Sequence, residues 1–238
     1  MTQKKKNEFL RGLRDGMPIG AGYFAVSFAL GISAASAGMS AFSAALMSFL
    51  NLTSAGEAAA ITLIKTGTTV AELVLTQLII NARYFLMSCS LSQKLAGDVP
   101  LYHRFAVAFG VTDEIFGICS TVHGKLDPMY SYGAMALALP AWTLGTALGV
   151  VFGSALPQAI VSALGLALYG MFVAIIIPGA KRSRAVAVLI TVSMALSAAF
   201  AYIPVLSGVS QGFRIIIITV LCSAGAAAAA PRTEDNGE

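Results

Sequence analysis

The chain reads as a succession of long apolar stretches separated by short polar junctions, at about 17–37, 41–64, 68–92, 104–121, 131–155, 158–178, 185–202 and 212–230. A helix needs roughly 20 mostly apolar residues to cross the ~30 Å hydrocarbon core of a bilayer. The pattern therefore predicts an all-α polytopic membrane protein with seven or eight transmembrane helices. The final stretch is the weakest, because Ala224 to Ala230 is nearly all alanine. Residues 1–230 form a single transmembrane domain on this reading, and 231–238 a polar C-terminal tail.

Composition narrows the class. Of 238 residues, 57% are hydrophobic and 11% are charged, against roughly a quarter charged in a soluble domain, which excludes a water-soluble fold. The net charge of +4 does not call for nucleic acid as a partner, since the basic residues sit at the ends of apolar stretches rather than in a surface stripe. If all eight stretches cross, the N-terminal side collects Lys4, Lys5, Lys6, Arg11, Arg14, Lys65, Lys125, Lys181, Arg182, Arg184 and Arg232, and the other side only Lys94, Arg104 and Arg214. Cytoplasmic loops are the Lys- and Arg-rich ones, so the N-terminus is expected in the cytoplasm. A second stretch that re-entered the membrane instead of crossing would move the loops at 65 and 94–104. Cys89, Cys119 and Cys222 lie in apolar runs without metal or redox spacing and read as packing residues. Ala35-Ser36-Ala37 after a basic tail imitates a signal cleavage site, but with so many helices following, a retained first helix is expected.

Small residues crowd the first stretch (Gly20, Gly22, Ala25, Ser27, Ala29, Gly31) and the fifth (Gly145, Ala147, Gly149, Gly153). Small side chains let lipid-embedded helices approach closely, so both are expected inside the bundle. Pro18 and Pro140 stand in or beside these stretches, which hints at an internal repeat of the kind common in transporters.

The chemistry concentrates between 51 and 120, where Glu57, Glu72, Arg83, Asp113 and Glu114 interrupt apolar sequence. A charge at mid-bilayer costs roughly 2.5–3.5 kcal/mol on insertion scales, so these need a compensating role. Asn51 to Glu57, Asn81 and Arg83, and Asp113 and Glu114 each fall near the middle of a stretch, at one common depth. Asn51-Leu52-Thr53-Ser54-Ala55-Gly56-Glu57 reads as a broken helix around residues 51–57, with Ser54 and Glu57 at capping-box spacing and a half-helix starting near Ser54. Its N-terminal amides would suit a carboxylate. Glu57 could equally serve only as a cap, and Glu72, near the end of its stretch, reads as an interfacial charge. Arg83 needs a partner on another helix, with Asp113, Glu114 and Glu57 as candidates. Asn81 and Arg83 point about 200° apart on an ideal helix, so at most one faces a given cavity. Two adjacent carboxylates in an apolar helix resist joint ionisation, which makes Asp113 or Glu114 a candidate proton carrier. His103 and His123 bracket the fourth stretch and read as solvated loop residues. Trp142 reads as a packing residue or a cavity wall.

In these segments the chain resembles the AzlC family, the large subunit of branched-chain amino acid exporters. The resemblance rests on Arg14-Asp15-Gly16-Met17-Pro18-Ile19-Gly20, on Asn51 to Glu57, on Asn81-Ala82-Arg83-Tyr84-Phe85-Leu86-Met87-Ser88, and on Thr112-Asp113-Glu114. It is densest between about 12 and 120. It implies an inner-membrane secondary transporter, or permease, that exports apolar amino acids with a small AzlD-type membrane subunit. Asn51, Thr53, Ser54, Gly56, Glu57, Asn81 and Arg83 would then bind substrate, and Asp113 and Glu114 would couple protons. A zwitterion could place its carboxylate on the half-helix end and Arg83, and its ammonium on Asp113 or Glu114. Glu57 departs from the Gln usual after the Ser-Ala-Gly run, which bears on specificity and pH dependence. No catalytic residue, metal or cofactor is expected. The rival readings are an intramembrane enzyme, for which neither a nucleophile with its base nor a metal cluster is present in sequence, and a channel or structural subunit in which the charges only lock helices.

Overall fold

The computed structural model describes residues 3–157, 183–203 and 208–229 throughout, with residues 159, 160, 163, 166, 173, 177, 180 and 181 between them. The described elements are α-helices: α1 Gln3–Ser36, α2 Ala41–Leu50, α3 Ser54–Lys65, α4 Val70–Lys94, α5 Leu101–Phe109, α6 Asp113–Thr121, α7 Pro128–Phe152, α8 Arg184–Tyr202 and α9 Gln211–Ala229, with a 3-10 turn at Gly153–Ala155. Hydroxyl or carboxylate N-caps from Ser40, Thr53, Thr69, Thr112, Asp127 and Ser183 open six of them. This is the all-α membrane protein the hydropathy predicts, and α1, α4, α7, α8 and α9 are long and apolar enough to span a bilayer. The predicted stretch 158–178 and the tail 231–238 fall largely or wholly outside the described residues, and with the former goes any counterpart that would complete the suggested repeat after α7.

Two of the predicted stretches do not run through. The stretch 104–121 is broken at Gly110-Val111-Thr112, and both its ends lie at one face: Arg104 on α5 donates to the carbonyls of Ser92 and Ala96 at the end of α4, while Lys94 donates to Ser120 O at the end of α6. Leu126, just before α7, donates its N–H to Lys94 O at 3.0 Å. His103 and His123, expected at opposite ends of a crossing helix, line one cavity at this same face, together with Lys4, Glu8 and Arg11 of α1. The stretch 41–64 is likewise a hairpin. α2 leaves the end of α1 and α3 returns to the start of α4, through tight turns in which Gly38 (φ 79°) and Gly67 (φ 67°) take the left-handed backbone that other residues avoid. Ser48 of α2 and Glu57 of α3 meet at the same level of α7, beside Thr146. With 10 residues in α2, 12 in α3 and 9 each in α5 and α6, these arms are about 14–18 Å long at 1.5 Å per residue, roughly half the hydrocarbon core. The two hairpins therefore enter from opposite faces and end near the middle. Compared with eight crossings, Lys65 moves to the far face and Lys94 and Arg104 move to the face where α1 begins.

α1 and α7 form the backbone of the bundle, packed in parallel along their whole lengths. A Cβ on Gly12 would lie 2.0 Å from Tyr130 O, one on Gly31 2.1 Å from Thr146 O, and one on Gly149 2.1 Å from Phe28 O. The expected small-residue contact is thus backbone on backbone. α1 starts at Gln3, well before the predicted 17, because Gly12 and Gly16 continue the seam beyond the apolar stretch. α9 begins beside Glu72 and Thr76 of α4, and α8 lies antiparallel on α9, with Arg184 near Ala229. Glu72, in the first turn of α4, is buried: it accepts from Ser210 Oγ and from the Phe213 N–H at 3.2 Å, and so holds the first turn of α9. Cys119 and Cys222 are buried as expected, whereas Cys89 faces outward.

Candidate functional site

Where the hairpin tips meet, two helix N-termini converge. Thr53 caps α3 by accepting from the Gly56 N–H, and Thr112 caps α6 by accepting from the Ile115 N–H. The cap of α3 is therefore Thr53, one residue before the Ser54 expected from capping-box spacing. The first amides of a helix lack intrahelical partners and carry partial positive charge. Around these ends Tyr23, Leu52, Ser54, Tyr84, Thr112, Asp113, Glu114 and Trp142 enclose a cavity of about 10 Å³, enough for a single water. Its walls are aromatic and apolar, and its polar groups sit at the two tips.

The carboxylates of α6 are both engaged. Asp113 pairs with Arg83 of α4 at 3.0 Å, with the two side chains 30% and 43% exposed. Arg83 also donates to Tyr84 Oη at 3.3 Å and stacks over that ring. Glu114 accepts from Tyr23 Oη, and Tyr23 lies 2.6 Å from Thr112 Oγ1, which ties α1 to the tip of the second hairpin. Of the three partners considered for Arg83 on sequence, the structure selects Asp113.

Glu57 lies elsewhere. It is wholly buried on the far side of Trp142 and does not line the cavity. Trp142 Nε1 donates to its Oε2 at 2.8 Å, Ser48 Oγ donates to Oε2 at 3.2 Å, and Thr146 Oγ1 donates to Oε1 at 3.2 Å. The Ser48 and Thr146 hydroxyls are 2.8 Å apart and both approach Trp142 O. Among the described residues, no Lys, Arg or His forms an ion pair with Glu57.

A third polar cluster covers the opposite side of the first tip. Asn51 donates to Gln77 Oε1, Asn81 donates to Gln77 and Asn51, and Gln77 Nε2 donates to Gly56 O at 2.8 Å. A Cβ on Gly56 would lie 2.8 Å from Gln77 Oε1 and 2.6 Å from Thr53 Cγ2, so any larger residue there must push these side chains aside. Gln77 and Asn81 also line an open groove on the outer surface of α4 with Leu73, Val74, Leu78, Ala82 and Phe85.

The residues singled out in sequence thus separate into three places. Ser54, Asp113 and Glu114 line the cavity, with Arg83 held to Asp113 and Thr53 capping the tip beneath it. Asn51, Gly56 and Asn81 form the amide cluster, and Glu57 occupies a buried pocket of its own. Asn81 and Arg83 do face different surroundings, as helical geometry requires. Sequence reading passed over Tyr23, Ser48, Leu52, Gln77 and Thr146. For the second tip a signal exists: Val111-Thr112-Asp113 repeats the apolar, Thr cap, polar order of Leu52-Thr53-Ser54.

The model of a family described as AzlC protein matches residues 18–156, which span α1 to α7 and hold every residue of the three clusters. An uncharacterized membrane protein of Archaeoglobus fulgidus is 31% identical over 179 residues, covering 74% of this chain and 78% of that protein. Inner membrane protein YgaZ of Escherichia coli K12 is 25% identical over 187 residues, covering 76% of each. No solved structure matches the chain significantly.

Proposed function

The chain belongs to the AzlC family, and from that premise we propose that it is a secondary transporter exporting branched-chain, apolar amino acids across the bacterial cytoplasmic (inner) membrane, coupled to protons. The observation that carries the reading is the small cavity between two opposed hairpin tips. Transporters commonly bind substrate near the midplane at interrupted helices. Here the start of α3 at Ser54 suits a carboxylate, Asp113 and Glu114 suit an ammonium, and Leu52, Tyr23, Tyr84 and Trp142 suit an apolar side chain. A space for one water cannot hold leucine, so the two tips must part for entry.

Orientation follows from the basic residues. Lys4, Lys5, Lys6, Arg11, Arg14, Lys94, Arg104 and Lys125 gather at the face where α1 begins, against Lys65 and Arg214 at the other, which supports a cytoplasmic N-terminus. A small AzlD-type subunit is part of the proposal. The outer groove of α4 carries the Gln77 and Asn81 side chains, and a partner helix lying in it would shield this polar strip from lipid.

The test is efflux of preloaded labelled leucine from cells expressing the chain with such a subunit, at matched membrane levels. Wild type should accelerate efflux over vector and Asp113→Asn should lose the gain; no acceleration by wild type would remove the substrate assignment. A structural or channel reading draws on the Arg83–Asp113 pair that bridges α4 and α6. It would gain from a substrate-independent conductance in reconstituted membranes.

A further inference from the structure

We infer that Glu57, rather than the carboxylates lining the cavity, is the group that takes up and releases the coupling proton; this rests on the transport reading above. The argument is the arrangement of hydrogens that its surroundings permit. A hydroxyl is both donor and acceptor, and its hydrogen rotates to suit. With Glu57 ionised, Oε1 accepts from Thr146, and Oε2 accepts from Ser48 and from the Trp142 indole, so three donors meet the charge. With Glu57 protonated on Oε1, that O–H donates to Thr146 Oγ1, and the Thr146 hydroxyl turns to Trp142 O, 3.3 Å away. No heavy atom has to move. Both protonation states are fully paired in the same buried pocket, where an unpaired polar group would be expensive.

The Arg83–Asp113 pair has the opposite property. A guanidinium has donors only and cannot lose its proton, so neutralising Asp113 leaves it without its counterion. Glu114 also meets a hydroxyl, Tyr23 Oη, which can turn to Thr112 Oγ1, but it lies on the cavity side, where the transport reading places the substrate ammonium. The groups facing Glu57 are Ser48 from α2 and Trp142 and Thr146 from α7. Across Trp142 stands Tyr23 of α1, and beyond the cavity stand Tyr84 and Arg83 of α4 and Asp113 and Glu114 of α6.

Trp142 supplies the connection to substrate. Its indole N–H holds Glu57, its ring walls the cavity, and it packs edge-on against Tyr23 at 5.2 Å and 70°. A side chain occupying the cavity displaces that ring and withdraws one donor from the carboxylate. In each cycle a proton from water on one side binds Glu57 Oε1, and the same proton leaves to water on the other side, regenerating the carboxylate.

The test uses the full chain in liposomes, alone and with the small subunit. Labelled leucine is followed both in leucine–leucine exchange at equal pH and in net movement driven by a pH gradient. Glu57→Gln should keep exchange and lose gradient-driven movement. Gradient-driven movement that survives in Glu57→Gln, or wild-type movement that follows sodium and ignores pH, would overturn the inference while leaving the transporter intact. Absence of both activities in wild type would instead strike the leucine reading. Infrared difference spectra decide the matter independently of transport and of whether Glu57→Gln folds. A protonated-carboxyl band should grow in wild type as pH falls and shift in Ser48→Ala and Thr146→Val. A wild-type band that does not respond to pH, or that is unchanged in both hydroxyl variants, would overturn the assignment.

Discussion

Replacing Gly149 with alanine tests the α1–α7 seam. A Cβ there would sit 2.1 Å from Phe28 O and 2.9 Å from Gly31 Cα, where ordinary contact begins at 3.4 Å. The helices would have to part locally by about 1.3 Å, the difference between those two distances to the carbonyl. Both close atoms are backbone, so no side chain can rotate away. Overpacking of this kind typically costs about 1–3 kcal/mol, partly offset by the gain of nearly 1 kcal/mol in helix propensity on going from glycine to alanine. Gly22 supplies the matched control: its Cβ would meet nothing within 4 Å, so Gly22→Ala should gain the propensity and pay no clash. Thermal unfolding of the purified protein in detergent, followed by tryptophan fluorescence, should give a lower Tm for Gly149→Ala and an unchanged or higher Tm for Gly22→Ala. Trp142 is the only tryptophan and lies seven residues before Gly149, on the same face of α7, so it reports this seam directly. A Gly149→Ala protein at least as stable as wild type would refute the close-packed seam.

Hairpin topology is open to labelling: single cysteines at Ser36 and Thr66 should react with an impermeant thiol reagent from one side of the membrane, and those at Asp98 and His123 from the other. Reaction of Ser36 and Thr66 sites from opposite sides would restore a crossing segment 41–64. Arg83→Asp should destabilise the protein by less than the roughly 3–5 kcal/mol of a broken buried pair, because both partners keep some exposure. The charge swap Arg83→Asp with Asp113→Arg should recover the melting temperature without recovering leucine efflux; recovery of both would make the pair purely structural.

The break in the first hairpin was legible because Asn51, Thr53, Ser54, Gly56 and Glu57 crowd polar and glycine signals into an apolar run, although whether the stretch turns back or crosses was left open. The break in the second was not read, since Gly110 and the single Thr112 cap are sparse marks and two short arms add up to one plausible crossing length. Hydropathy sums over a window and cannot tell a stretch that passes through from one that turns back. That distinction rests on contacts such as Leu126 with Lys94, which lie far apart in sequence. Depth, by contrast, was readable: the polar groups of three stretches do gather near one level. Which way they face was not, because Ser48, Tyr23 and Thr146 look like ordinary small or aromatic residues of apolar helices until α7 is set against α2 and α3. Glu57 and Asp113 appeared equivalent as intramembrane acids, and only their neighbours, hydroxyls for one and a guanidinium for the other, separate them.

The half-length hairpins also constrain how the protein is made. An arm of about 15 Å cannot settle in lipid by itself, since its tip carries open backbone groups that hydrocarbon leaves unsatisfied. The first hairpin is synthesised early, yet the indole that donates to Glu57 belongs to a residue 85 positions later in the chain. The seat that α7 provides for Ser48 and Glu57 therefore does not exist while α2 and α3 leave the ribosome. Biogenesis must hold this hairpin at the membrane surface or in the insertion machinery until α7 docks along α1, and nascent chains ending before Trp142 should be read by quality control as unfinished.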